Sequence, residues 1–264
     1  CRLPAASAPQ RQPRGMAPTR RGEEFLEHAR TVLEKLDLMD AIYQGQDRRS
    51  ASLNVAVCGA GYLTRALCAF LDETSPAEGL EINLREGRVE EVVRAVLDRE
   101  AEIGVIRYAV DRQNRVLAAL AEQGLHYLLY WTFRHVAVMS RRHPLAGEKL
   151  LEKARLTPYT EVMLASELSP VPPELQTAPQ PRRRARMWDQ ATRLELVSRS
   201  LTAYIWSPPM PQELLDRYGL TQLRVEDMPE YQDALIYPRG YHMSRWEQAF
   251  YDLARREAQR AQQG

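Results

Sequence analysis

The chain has 264 residues, a formal net charge of +1, 44% hydrophobic and 27% charged residues, an ordinary composition for a folded globular protein. Near-neutrality excludes general nucleic-acid binding by the whole molecule and leaves room only for a local basic patch. No apolar run approaches the ~20 residues a membrane helix needs. No signal peptide opens the chain, and its three cysteines, Cys1, Cys58 and Cys68, are an odd number without metal-ligand spacing. A cytoplasmic protein with neither metal nor disulfide framework is expected. The first residue is Cys1, not Met, so the chain is expected to be a fragment or the product of an incomplete reading frame.

Residues 1–22 read as disordered: prolines and arginines are frequent, acids are absent and there is little to bury. Thr19 then signals a helix with Glu23 and Glu24 in its first turn. Phe25, Ala29, Val32, Leu36, Met39 and Tyr43 recur at alternating steps of four and three, the spacing of a coiled-coil seam. A helix of about 25 residues spans roughly 37 Å, long for packing on a small core, and the expectation is a dimerisation helix. The polar stretch 44–50 is a hinge.

Strand and helix then alternate. Strands are expected at Ser52–Cys58, Leu80–Leu84, Glu102–Tyr108, His126–Trp131, His135–Met139, Thr160–Leu164, Arg186–Trp188, Ala203–Trp206 and Asp233–Tyr237. Helices are expected at Tyr62–Glu73, Val89–Asp98, Asn114–Gln123, near Glu148–Arg155, and at Ala191–Ser200, Gln212–Tyr218 and Trp246–Ala261. Residues 167–182 read as a long irregular loop, with Pro172 and Pro173 stiffening one wall of a cleft. Repeated βαβ units imply an α/β doubly wound arrangement split into two lobes, each with its own short parallel sheet.

No nucleophile elbow, phosphate loop or His-Glu-x-x-His motif is present, and no catalytic residue is assigned. Gly59-Ala60-Gly61 follows a strand and opens a helix, but the third glycine of a dinucleotide fingerprint is missing. The turn still presents free backbone N–H groups at a helix N-terminus, which attract anions and carboxylates. Gly59, Gly61, Tyr62 and Thr64 there, with Arg107 and Tyr108 at the end of another strand, open onto one sheet edge, where ligands of open α/β sheets bind. Ser166 and Trp206 face them from the second lobe. For Arg107 the alternative is a surface salt bridge, and for Trp206 core packing. The run Arg182-Arg183-Arg184-Ala185-Arg186 reads as a solvated loop rather than a nucleic-acid patch.

Several segments together resemble the LysR-type transcriptional regulators. Met16-Ala17-Pro18-Thr19-Arg20-Arg21-Gly22-Glu23-Glu24-Phe25 looks like the end of that family's winged helix-turn-helix and the start of its linker helix. Glu102-Ile103-Gly104-Val105-Ile106-Arg107 is similar to its Asp-Leu-Ala-Ile strand, and Val136 to Ala146 resembles its crossover strand with the His-Pro-Leu-Ala turn. Trp206-Ser207-Pro208 to Leu220 resembles the region following the second lobe's helix.

The resemblance implies a two-lobed, periplasmic-binding-protein-like effector domain that closes over a carboxylate or aromatic metabolite. It further implies no cofactor, a homodimer or homotetramer, and promoter DNA as partner. The helices of the reader domain have no counterpart in residues 1–15, which leaves Arg14, Thr19, Arg20 and Arg21 as phosphate contacts. The implied domains are a basic remnant at 1–18, a linker helix at 19–47 and an effector domain at 51–264, with lobe 1 at about 51–131 and 233–264 and lobe 2 at about 132–232. A transporter's solute-binding protein is the alternative, but it would need a secretion signal and no coiled coil. An enzyme would need a convergent acid/base or nucleophile set.

Overall fold

In this computed structural model the described residues are 10–12, 15–17, 22, 51–75, 79–165, 181 and 183–263. The seam from Phe25 to Tyr43, the phosphate contacts Arg14, Thr19, Arg20 and Arg21, Ser166, and Pro172 and Pro173 lie outside them. The chain divides into two units, Cys1–Ser50 and Ala51–Gly264. Within the first, β1 (Gln10–Gln12) and β2 (Gly15–Ala17) pair antiparallel. This corrects the expectation of a wholly irregular tail: Gln10 to Gln12 pair in register with Ala17 to Gly15.

The second unit runs β3 (Ala51–Val57), α1 (Gly61–Glu73), β4 (Leu80–Glu86), α2 (Val89–Leu97), β5 (Ile103–Ala109), α3 (Gln113–Glu122), β6 (Leu125–Arg134) and β7 (Val136–Ser140). It continues with β8 (Leu150–Leu151), β9 (Thr160–Leu164), β10 (Arg183–Met187), α4 (Gln190–Arg199), β11 (Ala203–Ser207), α5 (Gln212–Tyr218), β12 (Leu220–Val225), β13 (Glu230–Pro238) and α6 (Arg245–Gln263). Five strands in the order β4-β3-β5-β13-β6 make one sheet, and six in the order β10-β9-β11-β7-β12-β8 make the other. The two-lobed α/β class expected from the sequence is the one observed.

The sheets are mixed, which corrects the expectation of purely parallel lobes. The chain passes between them twice, from β6 into β7 through His135 alone and from β12 into β13, and the returning strand β13 runs antiparallel to both β5 and β6. In the second sheet β7 likewise runs antiparallel to β11 and β12.

Sequence pattern explains most elements. In β3, Leu53, Val55 and Val57 turn to one face and Ala56 to the other, and all four are buried; a strand covered on both sides reads as a continuous apolar run. Helix α1 buries Tyr62, Leu63, Ala66 and Phe70 on one stripe, which packs with Phe250, Leu253, Ala254 and Ala258 of α6. Helix α2 starts with a capping box in which the Arg88 amide donates to Glu91 Oε2 at 2.9 Å. Helix α5 ends on Gly219 at φ +60°, a left-handed position that favours glycine.

Two expectations are corrected and one strand is added. The helix near 148–155 is a two-residue strand and a short 3₁₀ turn over Lys153–Leu156, because Leu151 is drawn into the core beside Val225. The strand β12 escaped notice because Thr221, Gln222 and Arg224 dilute its apolar pattern; Gln222 spends its amide on the backbone of Met210. From Arg183 on, the arginine run lies in the edge strand β10 rather than in a loop: Ala185 and Met187 pack against the second lobe's core, while Arg183, Arg184 and Arg186 are exposed.

Candidate functional site

The first sheet delivers its strand ends to one edge. Beyond Val57, Cys58-Gly59-Ala60 turns the chain into α1. Both glycines there lie under a close approach by the end of a side chain. A Cβ on Gly59 would sit 2.8 Å from a carboxylate oxygen of Glu86, and one on Gly61 would sit 2.7 Å from Leu214 Cδ2 in the second lobe. The N-cap of α1 is Ala60, which offers no side-chain acceptor, and the first turn holds no acidic residue. Near this point Arg65 of α1 meets Glu213 of α5 at 2.9 Å, so the two lobes touch where the helices α1 and α5 begin.

Alternation along β5 sends Arg107 to the α1/α6 face, with Ile103 and Val105, and Tyr108 to the opposite face, with Ile106. Arg107 forms a bidentate pair with Asp233, its register neighbour on β13: Nε to Oδ1 and Nη2 to Oδ2 are both 2.8 Å. Its Nη1 donates to the Gly59 carbonyl at 3.5 Å, and the guanidinium lies 5.0 Å over the Phe133 ring. Burial works against the arginine's charge, but the Asp233 carboxylate and its hydrogen bonds outweigh that and hold the guanidinium charged. This is an internal ion pair rather than the surface bridge weighed from sequence; the Asp233 side chain is 0% exposed.

Tyr62, at the start of α1, donates its hydroxyl to Asp233 Oδ2 at 2.7 Å and shares a second hydrogen bond with the Tyr130 hydroxyl. Its ring stands edge-on to Trp131 at 4.8 Å. Burial and the Asp233 charge push the Tyr62 phenol well above its ordinary range, so it stays a donor. Cys58, beside this group, is raised to about 11 chiefly by burial and stays a neutral thiol; Cys58 and Cys68 are both free.

The structure therefore gathers Gly59, Tyr62 and Arg107 around Asp233. Thr64 is exposed on α1. Tyr108 is buried on the other face, its hydroxyl without a hydrogen-bond partner among the described residues and its pKa raised to about 12 by burial first. Trp206 is partly buried in the second lobe, edge-on to Tyr204, and its carbonyl accepts from Arg193 Nη2 at 3.0 Å. Asp233, Tyr130, Phe133 and Arg193 were not singled out from sequence. The signal for Asp233 is a partial one: an acid set directly against the apolar run Ala234-Leu235-Ile236 is drawn into the core, where it needs a cation partner.

His135, between the two sheets, lies 4.2 Å from the Tyr231 ring. Burial first, then the charges of Arg107 and Arg193, lower its pKa to about 3, so it is neutral near pH 7. Among the described residues no group of three or more His, Cys, Asp or Glu is placed to hold a metal, and no helix is long and apolar enough to cross a membrane.

The family model described as the LysR substrate binding domain matches residues 45–259. The search of curated proteins returns no match. Among solved structures, the effector binding domain of QuiR in complex with shikimate superposes with a TM-score of 0.54 at 16% identity, covering 79% of this chain and 97% of that one. A Corynebacterium glutamicum OxyR mutant gives 0.54 at 17% identity over 96% of this chain and 79% of that one. The regulatory domain of the LysR family regulator MetR from N. meningitidis gives 0.52 at 15% identity over 78% and 93%.

Proposed function

Because the chain belongs to the LysR substrate-binding-domain family, we propose that it is the sensing and dimerising part of a LysR-type transcription regulator and not an enzyme. Residues 51–264 form the effector domain, residues 19–47 the linker helix that joins protomers through Phe25, Ala29, Val32, Leu36, Met39 and Tyr43, and residues 1–18 a basic remnant. The protein works in the cytoplasm as a homodimer or homotetramer on promoter DNA, with Arg14, Thr19, Arg20 and Arg21 against phosphates. Its effector, a carboxylate or aromatic metabolite, enters between the Gly59–Thr64 turn with Arg107 and Tyr108 on one side and Ser166 with Trp206 on the other.

The observation that carries this reading is one shared carboxylate. Asp233 sits on β13, one of the strands by which the chain returns from the second lobe, and holds both Arg107 and Tyr62. Arg107 also holds the Gly59 carbonyl, and Tyr62 begins the helix that follows the glycine turn. A ligand pressing on that turn pushes on residues already tied to β13, and through Tyr130 and Phe133 on β6, the other strand that crosses between lobes. Occupancy and lobe closure are coupled by differential contact, as a population shift requires.

The test is a panel of carboxylates and aromatic acids, shikimate among them, titrated into the whole chain while the melting temperature is followed. A ligand of the proposed site gives a saturable rise, and Thr64→Trp, which fills the mouth from an exposed position, removes it. If every rise survives Thr64→Trp, the effector does not sit here.

A further inference from the structure

A cavity of about 620 Å³ lies at the crossover segments themselves. Thr132, Phe133, Arg134, His135 and Val136 line it from the first crossing, and Val225, Glu226, Asp227 and Glu230 from the second. Ala261 and Gln262 of α6 and Leu150, Pro209, Gln222 and Arg224 of the second lobe complete the wall. Gly59, Gly61, Tyr62 and Arg107 are not among the lining residues, so this space opens beside the strand-end site, with Phe133, whose ring lies 5.0 Å under Arg107, between the two. Its volume falls in the range of about 300–1,000 Å³ that small-molecule sites occupy.

The lining is sorted by chemistry. Phe133, Val136, Val225 and Ala261 are buried and present an apolar floor. His135 adds an aromatic ring, tilted against Tyr231 with the centroids 4.2 Å apart. The rim is charged and only half paired. Arg134 is held by Glu230 at 3.2 Å. Arg224, Glu226 and Asp227 are exposed, and none has an ion-pair or hydrogen-bond partner for its side chain among the described residues. The turn that carries the two acids is fixed, because the Glu226 amide donates to the Leu151 carbonyl at 2.9 Å and Asp227 takes a left-handed φ of +54°. One uncommitted cation and two uncommitted carboxylates therefore border an apolar, aromatic floor.

We propose that this hinge cavity binds a small zwitterion with an aromatic side group, the class of an aromatic amino acid. The ligand carboxylate pairs with Arg224, its ammonium with Glu226 and Asp227, and its ring lies on Phe133 and Val136. A guanidinium fork suits a carboxylate, and a molecule with both charges satisfies both halves of the rim, which a ligand of single charge does not. Because both crossings line the cavity, an occupant resists their rotation and biases lobe closure from a place separate from the strand-end site.

The test is calorimetry on the whole chain with L-phenylalanine as probe, and phenylpropionate and phenethylamine as its single-charge counterparts. Phenylalanine is expected to bind saturably, and each counterpart about two- to fivefold weaker, the worth of one exposed charge pair. Arg224→Gln and the double variant Glu226→Gln/Asp227→Asn, all at exposed positions, are expected to weaken phenylalanine by a similar factor, with thermal melts showing the fold retained. Thr64→Trp, in the other site, should leave saturable phenylalanine binding in place, its affinity shifted only as far as lobe closure couples the two sites. No saturable heat from phenylalanine up to about 10 mM, or wild-type affinity in both charge variants, overturns the proposal. Loss of binding in Thr64→Trp overturns it too, by moving phenylalanine to the strand-end site, and leaves the function proposed above standing.

Discussion

Arg107 and Asp233 face each other on adjacent antiparallel strands, two guanidinium nitrogens each 2.8 Å from a carboxylate oxygen. The arginine side chain is 12% exposed and the aspartate 0%. Removing one partner from such a pair leaves an uncompensated buried charge, at a cost of about 3–5 kcal/mol, whereas replacing both by apolar groups is often neutral. Arg107→Met and Asp233→Leu are each expected to lower unfolding free energy by about that amount in urea, and the double variant by clearly less than either. Additive losses would show that the two residues do not depend on one another.

Tyr62 touches the same carboxylate differently. Its hydroxyl reaches Asp233 Oδ2 and Tyr130, while its ring packs against Trp131. Tyr62→Phe keeps the ring and deletes the donor, leaving one acceptor position of Asp233 and the Tyr130 hydroxyl short of a partner. The expected loss is about 1–3 kcal/mol, with the near-ultraviolet dichroism of Trp131 retained. Tyr62→Leu, which also forfeits the ring contact, should cost more; equal losses would mean that the hydroxyl carries no weight.

Much of this architecture is legible in the residues alone, because periodicity reports burial. The βαβ rhythm through β5, the doubly covered strand β3 and the stripe of α1 all follow from apolar spacing. What escapes is what long-range pairing decides. Strand β12 is disguised by polar residues with tertiary duties, Leu150 and Leu151 become strand only because β12 lies beside them, and the antiparallel return of β13 depends on where the chain crosses between lobes. At the candidate site, Gly59, Tyr62 and Arg107 could be named from strand ends and turn chemistry. Their common partner is 126 positions away from Arg107 in sequence, and no local pattern joins the two.

Gly104 illustrates a glycine kept for space rather than for backbone freedom. A Cβ there would come within 2.8 Å of Val92 Cγ1 and 3.0 Å of both Ile236 Cγ1 and Val96 Cγ2, because α2 rests directly on β5. Branched side chains anchored in a strand and a helix yield little, and overpacking a core costs about 1–3 kcal/mol. Gly104→Ala is expected to destabilise by that amount, although alanine is the better strand and helix residue on propensity alone. Thermal melts of Gly104→Ala alone and combined with Val92→Ala check the cause: the second change should return part of the loss, and a purely additive result would place the strain elsewhere.

His135 makes stability depend on acidity in a defined window. Unfolded, it takes up a proton near its ordinary value of 6.5; folded, burial and the arginine charges hold it neutral down to about 3. Between those values the unfolded chain binds the extra proton, so unfolding free energy rises with pH, and falls as pH drops from 6.5 toward 3. Above 6.5 both states carry the neutral ring and the effect vanishes. One proton corresponds to about 1.4 kcal/mol per pH unit at most. Urea titrations of the wild type at pH 7, 6 and 5 should show the loss setting in below 6.5, and His135→Phe, which keeps an aromatic ring beside Tyr231, should flatten the slope. Parallel slopes in the two proteins would assign the acid sensitivity to the carboxylates instead.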